Sequence, residues 1–387
     1  MLSGLPAHPP PACIERDNEM KWSWRIGRIA GIDVHLHATF GLLLAYFAWH
    51  YYSIQGRWQD ALSGMFFIAV VFFIVVLHEL GHALAARRFG IQTHDITLLP
   101  IGGVARLERM PENPWQELVV ALAGPAVNIA LAGILFLVLL PTLTLQMLGR
   151  IYNVGETMLF NLLVWNLFMA AFNLIPAFPM DGGRVLRALL AMRMGLQRAT
   201  VVAARVGQGL AVMFFLVALF VPSMWTLLLI AFFVWIGAEN ESDMVQLKHS
   251  LAGIPIRRVM ITDYRTLSPM DPLSAAVDHI LAGFQQDFPV VENGRVIGML
   301  TRGDLIAAIA SKSMSTPVGD VMRREFSTAL PHETATDAFA RLQSCDCRSL
   351  PVVQDGAIMG IVTVENVGEF LMIQDAVSRR VPPMIRR

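Results

Sequence analysis

Hydrophobic positions are spread unevenly along this chain. Before about residue 240 they form long apolar stretches, and after 254 they alternate with polar positions as in a soluble α/β protein. Ala61 to Leu77 has no charged residue, meets the length of a bilayer span and runs directly into LHELGHALAARRFG. Further apolar stretches at 34–53, 117–140, 157–178, 203–221 and 224–238 bring the expected spans to about six, the last two being short.

Loop charge orients these spans. Lys21, Arg25 and Arg28 precede the first span, Arg87, Arg88, Arg106 and Arg109 follow the second, and Arg184, Arg187, Arg193 and Arg198 follow the fourth. The opposite loops offer Arg57 and Arg150. The positive-inside rule therefore predicts both termini and the 87–110 and 180–200 segments on the cytoplasmic side. Trp22, Trp24, Trp49, Tyr51, Tyr52 and Trp58 fit interfacial aromatic belts. His35 and His37 alternate as in a strand or interfacial segment, with anchoring favoured over chelation, and His94 and Asp95 are expected in a hydrated loop.

Composition agrees with this division. At 387 residues the chain is long enough for two or three domains of about 150 residues each. Hydrophobic residues make up 55% and charged residues 16%, with a mean hydropathy of +0.53, which excludes a disordered chain and argues against a purely soluble enzyme. Lys+Arg and Asp+Glu balance at 30 each, so no bulk charge points to nucleic acid. Cys13, Cys345 and Cys347 cannot build a disulfide framework and read as reduced bystanders. The expected organisation is a proline-rich tail over 1–20, a membrane domain over 21–240, a linker over 241–253, soluble repeats over 254–312 and 317–374, and a basic tail over 375–387. With no recognisable transit peptide, a prokaryotic plasma membrane is the expected location of this multi-pass chain.

The soluble part repeats itself. FPVVENGRVIGMLTRGDL (288–305) aligns without gaps to LPVVQDGAIMGIVTVENV (350–367), an offset of 62 residues. Each copy predicts a strand, a turn at Asn293-Gly294 or Asp355-Gly356, a second strand and a helix start, preceded by the helical patterns SAAVDHILAGF and ATDAFARLQSC. Two copies of such a β-α-β-β-α unit imply a paired module. Over about 254–374, with Gly298, Thr301 and Asp304 in a Gly-x-x-Thr-x-x-Asp run, the repeat resembles the cystathionine-β-synthase (CBS) domain pair. The second copy keeps Gly360 and Thr363 but has Asn366 where that family often has aspartate. The resemblance implies ATP or AMP as a regulatory ligand, with Thr301 and Asp304 first and Thr363 second as its contacts, and a homodimer through the pair.

The sharpest chemical signal is His78-Glu79-Leu80-Gly81-His82. On a helix, residues four apart share a face, so both imidazoles can reach one metal with a carboxylate beside them. The bland alternative is a polar patch at a helix end. Three ionisable groups at the end of an apolar run are costly unless paired, coordinated or hydrated. A catalytic zinc usually takes three protein ligands and keeps a fourth place open for water. Asp181, in NLIPAFPMDGGRVLRALL, is the outstanding third candidate, because Pro176 and Pro179 break the preceding helix and Gly182 and Gly183 free the backbone beside the acid. A helix N-cap is the competing role for Asp181.

Together these segments resemble the site-2 protease family of intramembrane zinc metalloproteases, over approximately residues 25–240. HELGH matches its metal helix and Asn173-x-x-Pro176-x-x-x-x-Asp181-Gly182-Gly183 its second signature. ITLLPIGGVARLE (96–108) is similar to its re-entrant β-hairpin, and Gly124-Pro125-x-x-Asn128 matches the opening of its third span. The resemblance implies one Zn²⁺ per chain on His78, His82 and Asp181, Glu79 as general base, Asn173 as a helper near the scissile carbonyl, and Asn128, Gly102 and Gly103 as substrate-positioning residues. Asn173 would be either an oxyanion donor or a buried amide satisfying backbone freed by Pro176. An edge strand such as Ile96–Leu99 or Gly103–Leu107 would hold an unwound substrate by β-addition, or the same stretch is a structural plug.

The expected fold is therefore a mainly α polytopic membrane domain, with about six transmembrane helices and a short re-entrant β-hairpin, plus a soluble α/β CBS pair. The expected function is intramembrane proteolysis of transmembrane protein substrates near the cytoplasmic face, regulated by adenine nucleotide. A CBS-regulated channel or metal transporter is the alternative from another class.

Overall fold

The computed structural model describes residues 22–380 apart from 101, 109, 112, 148–156, 284 and 345–348. The tail, the three cysteines, Lys21, Arg109, Arg150 and the residues after 380 lie outside the described set. The chain divides into two units between Gln246 and Leu247.

The first unit opens with strands β1 (Ser23–Ile29) and β2 (Ile32–His37), joined by a tight turn in which Ala30 and Gly31 both have positive φ. Helices α1 (Thr39–Gln55) and α2 (Trp58–Arg87) follow, and then β3 (Thr93–Leu99) and β4 (Gly102–Leu107). The strand order is β1-β2-β3-β4, with β2 and β3 parallel and the outer pairs antiparallel. A parallel pair needs a long crossover, which α1 and α2 supply. The hairpin stretch is therefore half of a four-stranded sheet. Ile96–Leu99 is central in it, so of the two strands considered for substrate addition it is Gly103–Leu107, on β4, that lies at an edge of the sheet.

Period-two alternation sends Ile32, Val34, Ile96 and Leu98 to one face, where they pack with Phe40, Phe72, Val76 and Ala83 of α1 and α2. Two expectations change here. Residues 34–37 belong to β2, so the first apolar helix starts only at Thr39. Asp95 is not in a hydrated loop: it is buried on β3, paired with Arg106 and 3.5 Å from Nδ1 of the likewise buried His35.

Helices α3 (Pro114–Met147), α4 (Met158–Asn173), α5 (Asp181–Met194), α6 (Leu196–Phe220) and α7 (Thr226–Leu251) complete the helical set. Among the described residues three helices are long and apolar enough to cross a membrane: Ala61–Arg87, Pro114–Thr142 and Leu196–Phe220. The fourth expected span is shorter than its apolar run, because α4 stops at Asn173 ahead of the Pro176 and Pro179 turn. Helix α3 packs against α2, α4 and α5, and so stands at the centre of the unit.

The segment read as a linker is helical to Leu251, as the last part of α7. Beyond it the second unit holds two copies of one motif. The first has α8 (Leu273–Ala282), β5 (Phe288–Glu292), β6 (Arg295–Leu300) and α9 (Arg302–Ser311). The second has α10 (Ala335–Ser344), β7 (Ser349–Gln354), β8 (Ala357–Thr363) and α11 (Val364–Arg380). Asn293-Gly294 and Asp355-Gly356 all take positive φ, as two-residue hairpin turns demand. The sheet order β5-β6-β8-β7 is symmetric about the β6–β8 contact, where Arg295 pairs with Ala357, its equivalent 62 residues on. Another equivalent pair, Asp287 Oδ2 and Ser349 Oγ, is hydrogen-bonded at 2.9 Å.

Candidate metal centre

His78 and His82 lie one turn apart on α2, and their Nε2 atoms are 3.1 Å from each other. Asp181 Oδ2 is 3.2 Å from both. All three side chains are buried, and these ligand atoms fall within 4.8 Å of one another. Asp181 is the first residue of α5, and Met180 stands at the cap position with no side-chain cap bond. The aspartate is turned to the imidazoles instead of serving as an N-cap.

The far side of each ring identifies its proton. His82 Nδ1 is 2.7 Å from the Val120 carbonyl, which can only accept, so Nδ1 carries hydrogen. His78 Nδ1 is 2.6 Å from Asn128 Oδ1. That amide is oriented in turn: Asn128 Nδ2 donates to Asn166 Oδ1 at 3.5 Å, and Asn166 Nδ2 donates to the Leu162 carbonyl at 2.8 Å. With Nδ1 donating, each ring in its neutral form directs an Nε2 lone pair at the same carboxylate oxygen. Three electron-rich atoms this close repel one another unless a cation lies among them. Two imidazoles and one carboxylate form a zinc donor set, and tetrahedral ligand bonds of about 2.0–2.1 Å give edges near 3.3 Å, similar to the observed separations. The residues fit the metal.

Backbone glycines make room for this arrangement. A Cβ on Gly124 of α3 would overlap the ring of His82 and come within 2.7 Å of His78 Nε2. A Cβ on Gly81 would lie 2.9 Å from the Ala123 carbonyl oxygen, so α2 and α3 meet closely at the site. A Cβ on Gly182 would strike the Leu174 and Ile175 backbone, and one on Gly183 would lie 2.6 Å from Phe178 N. These two glycines let the turn after α4 fold back on the start of α5 and deliver Asp181.

The other expected site residues are distributed as follows. Glu79 is half-buried on α2, and a Cβ on Gly103 would come within 2.7 Å of its Cγ, so the edge strand β4 runs beside this acid. Gly102 begins β4 at φ 140°, a conformation that suits glycine. Asn173 is the last residue of α4 and half-buried. Asn128 is wholly buried, with its Oδ1 against His78 Nδ1, and it lies about four turns into α3 rather than at its opening. In the second unit, Thr301 caps α9 by accepting from Asp304 N at 3.2 Å. Asp304 is bound by Arg323 through two hydrogen bonds of 2.6 and 2.9 Å. Thr363 accepts from Asn366 N at 3.1 Å.

Sequence reasoning missed Asn166, Glu117 and Arg187. Arg187, counted there as a cytoplasmic loop charge, is buried on α5 and paired with Glu117 of α3 and Glu241 of α7. The available signal was positional: residues 117, 120, 124 and 128 recur at helical spacing and share one face of α3.

Residues 66–216 match peptidase family M50, and residues 256–311 and 318–372 each match the CBS domain. Zinc metalloprotease MJ0392 of Methanocaldococcus jannaschii is 34% identical over 293 residues, covering 74% of this chain and 80% of the relative. Rip3 of Mycobacterium tuberculosis is 28% identical over 372 residues, covering 89% of this chain and 92% of the relative. Among solved structures, the site-2 protease from Methanocaldococcus jannaschii is 36% identical and covers 57% of this chain and 95% of its own, with a TM-score of 0.41.

Proposed function

This chain belongs to peptidase family M50, the site-2 proteases, and is a zinc metalloprotease with a CBS domain pair; from that premise we propose that it cleaves transmembrane segments of other proteins near the cytoplasmic face. The observation that carries the reading is the convergence of His78 Nε2, His82 Nε2 and Asp181 Oδ2, with the opposite ring nitrogens engaged as donors.

His78, His82 and Asp181 would hold the zinc, which when bound would supply Lewis acidity for the scissile carbonyl and lower the pKa of a bound water to about 7. Glu79 takes the proton from the attacking water and passes it to the departing amine. The Asn173 amide donates to the oxygen of the carbonyl under attack. A helical substrate must first unwind, because its carbonyls are hydrogen-bonded and its backbone is shielded. The free edge of β4, running past Glu79 at Gly103, receives the extended segment by strand addition, with Gly102 leaving the approach clear.

The chain crosses the bilayer about six times with both termini cytoplasmic, the apolar runs of α1, α4 and α7 adding to the three longer helices. Its CBS pair binds adenine nucleotide through Thr301, Asp304 and Thr363 and joins two copies of the chain. Ligand acts by favouring one arrangement of that module over another. The test of the protease reading is Glu79→Gln in the purified protein, assayed on single-span substrates. Zinc content should stay at one per chain while cleavage is abolished. Cleavage persisting in this variant would refute the assigned role.

A further inference from the structure

Four charged or ring-bearing groups meet away from the metal ligands. Arg187, on α5 between one and two turns after Asp181, has its side chain only 4% exposed. Its Nε and Nη2 reach Glu117 Oε1 on α3 at 2.6 and 2.5 Å, and its Nη1 is paired with Glu241 on α7. The guanidinium carbon also lies 5.2 Å from the ring centroid of Phe178, itself 1% exposed and three residues before Asp181. One cation on the helix that begins at the aspartate thus contacts the turn leading into it and ties both to α3 and α7.

We propose that Arg187 is a positioning residue that sets Asp181 for metal binding, an inference that rests on the zinc metalloprotease reading. Its anchor is Glu117, which stands on the same face of α3 as Val120, Gly124 and Asn128. Those three residues orient His82, admit both rings and orient His78. A single helix face therefore fixes the histidines directly and the aspartate through Arg187. Arginine suits the role because its planar fork holds two carboxylates in fixed directions while its face stacks on an aromatic ring. The two acids differ: the Glu117 side chain is 3% exposed and that of Glu241 is 32% exposed. Glu117 is the permanent partner, and Glu241 ties in α7.

Removing Arg187 alone would strand a buried carboxylate and risk unfolding, whereas removing both members of a buried pair is often tolerated. The deciding variant is the double substitution Glu117→Gln/Arg187→Met, with Arg187→Lys beside it, each in the full chain in detergent. Zn²⁺ affinity is read by competition with a chromophoric chelator, ligand geometry by the visible spectrum of the Co²⁺-loaded protein, and folding by thermal melting. The double variant should melt close to the wild type yet bind Zn²⁺ at least tenfold more weakly with an altered Co²⁺ spectrum, and Arg187→Lys should fall between. Wild-type Zn²⁺ affinity and an unchanged Co²⁺ spectrum in a folded double variant would overturn the proposal and leave the metal site standing. A wild-type chain that takes up no Zn²⁺ would overturn the protease reading together with it.

Discussion

Asn128 Oδ1 accepts a hydrogen bond from His78 Nδ1 at 2.6 Å, across the interface of α3 and α2. The bond fixes the tautomer that turns the Nε2 lone pair toward Asp181, and it makes the ring a better donor to a metal. Asn128 is wholly buried, so no solvent molecule can replace it at that nitrogen. Substituting Asn128→Leu should weaken Zn²⁺ binding by about 10–100-fold, the usual cost of losing an outer-shell partner. Asn128→Asp keeps an acceptor at the same atom and should retain most of the affinity. Chelator competition on both variants checks this, and equal affinities in the two would argue against the orienting role.

Gly124→Ala offers a harsher test of the same interface. The added methyl would occupy the space of the His82 ring and crowd His78 Nε2, while alanine is a better helix former than glycine. The expected outcome is loss of stoichiometric zinc with helical content by circular dichroism unchanged. Full metal content in this variant would mean that the rings sit elsewhere.

The edge strand carries the third expectation. A Cβ at Gly103 would meet Glu79 Cγ at 2.7 Å and Val75 Cγ1 at 2.9 Å, closer than packed side chains come. Gly103→Val should therefore push Glu79 and β4 apart, leaving the two histidines and Asp181 in place. Zinc content should hold at the wild-type level while kcat/KM on a transmembrane substrate falls by at least 10²-fold, the scale of losing a positioned acid–base group. Metal loss in step with activity would instead locate the damage at the ligands.

Much of this architecture was legible in residue patterns, and the failures share a cause. The histidine pair, the Asp181 segment and the repeated hairpins announce themselves through fixed local spacing: four residues on one helix face, prolines before an acid, Asn-Gly and Asp-Gly in turns. Residues 34–37 read as the start of an apolar helix because hydrophobicity alone does not separate a buried strand from a helix start. Arg187 and Asp95 read as solvent-facing in the sequence because their partners, Glu117, Glu241 and Arg106, become neighbours only through tertiary packing. Asn128 was visible as part of a motif, but nothing in the motif says that its amide faces a ring nitrogen rather than a substrate.

Asp304 gives a test in the soluble unit whose sign is fixed by pH. Burial alone would raise its pKa, but the hydrogen bonds from the Arg323 guanidinium and the Thr301 hydroxyl outweigh that and hold the carboxyl below the usual carboxylate range. The folded chain therefore binds this proton less readily than the unfolded chain does. The resulting stability is fully present above the unfolded value near 4 and is lost as pH falls through the lower folded value. Both side chains are partly exposed, 28% for Arg323 and 21% for Asp304, which limits the contribution to the order of 1 kcal/mol. Asp304→Asn should accordingly speed amide hydrogen exchange in β5 and β6 at neutral pH, by about fivefold for 1 kcal/mol, with exchange occurring through opening of this unit. As acid protonates the wild-type carboxyl, the two proteins should converge after correction for intrinsic exchange rates. A gap that stays constant from neutral to acidic pH would show that the Asp304–Arg323 pair contributes through shape and not through charge.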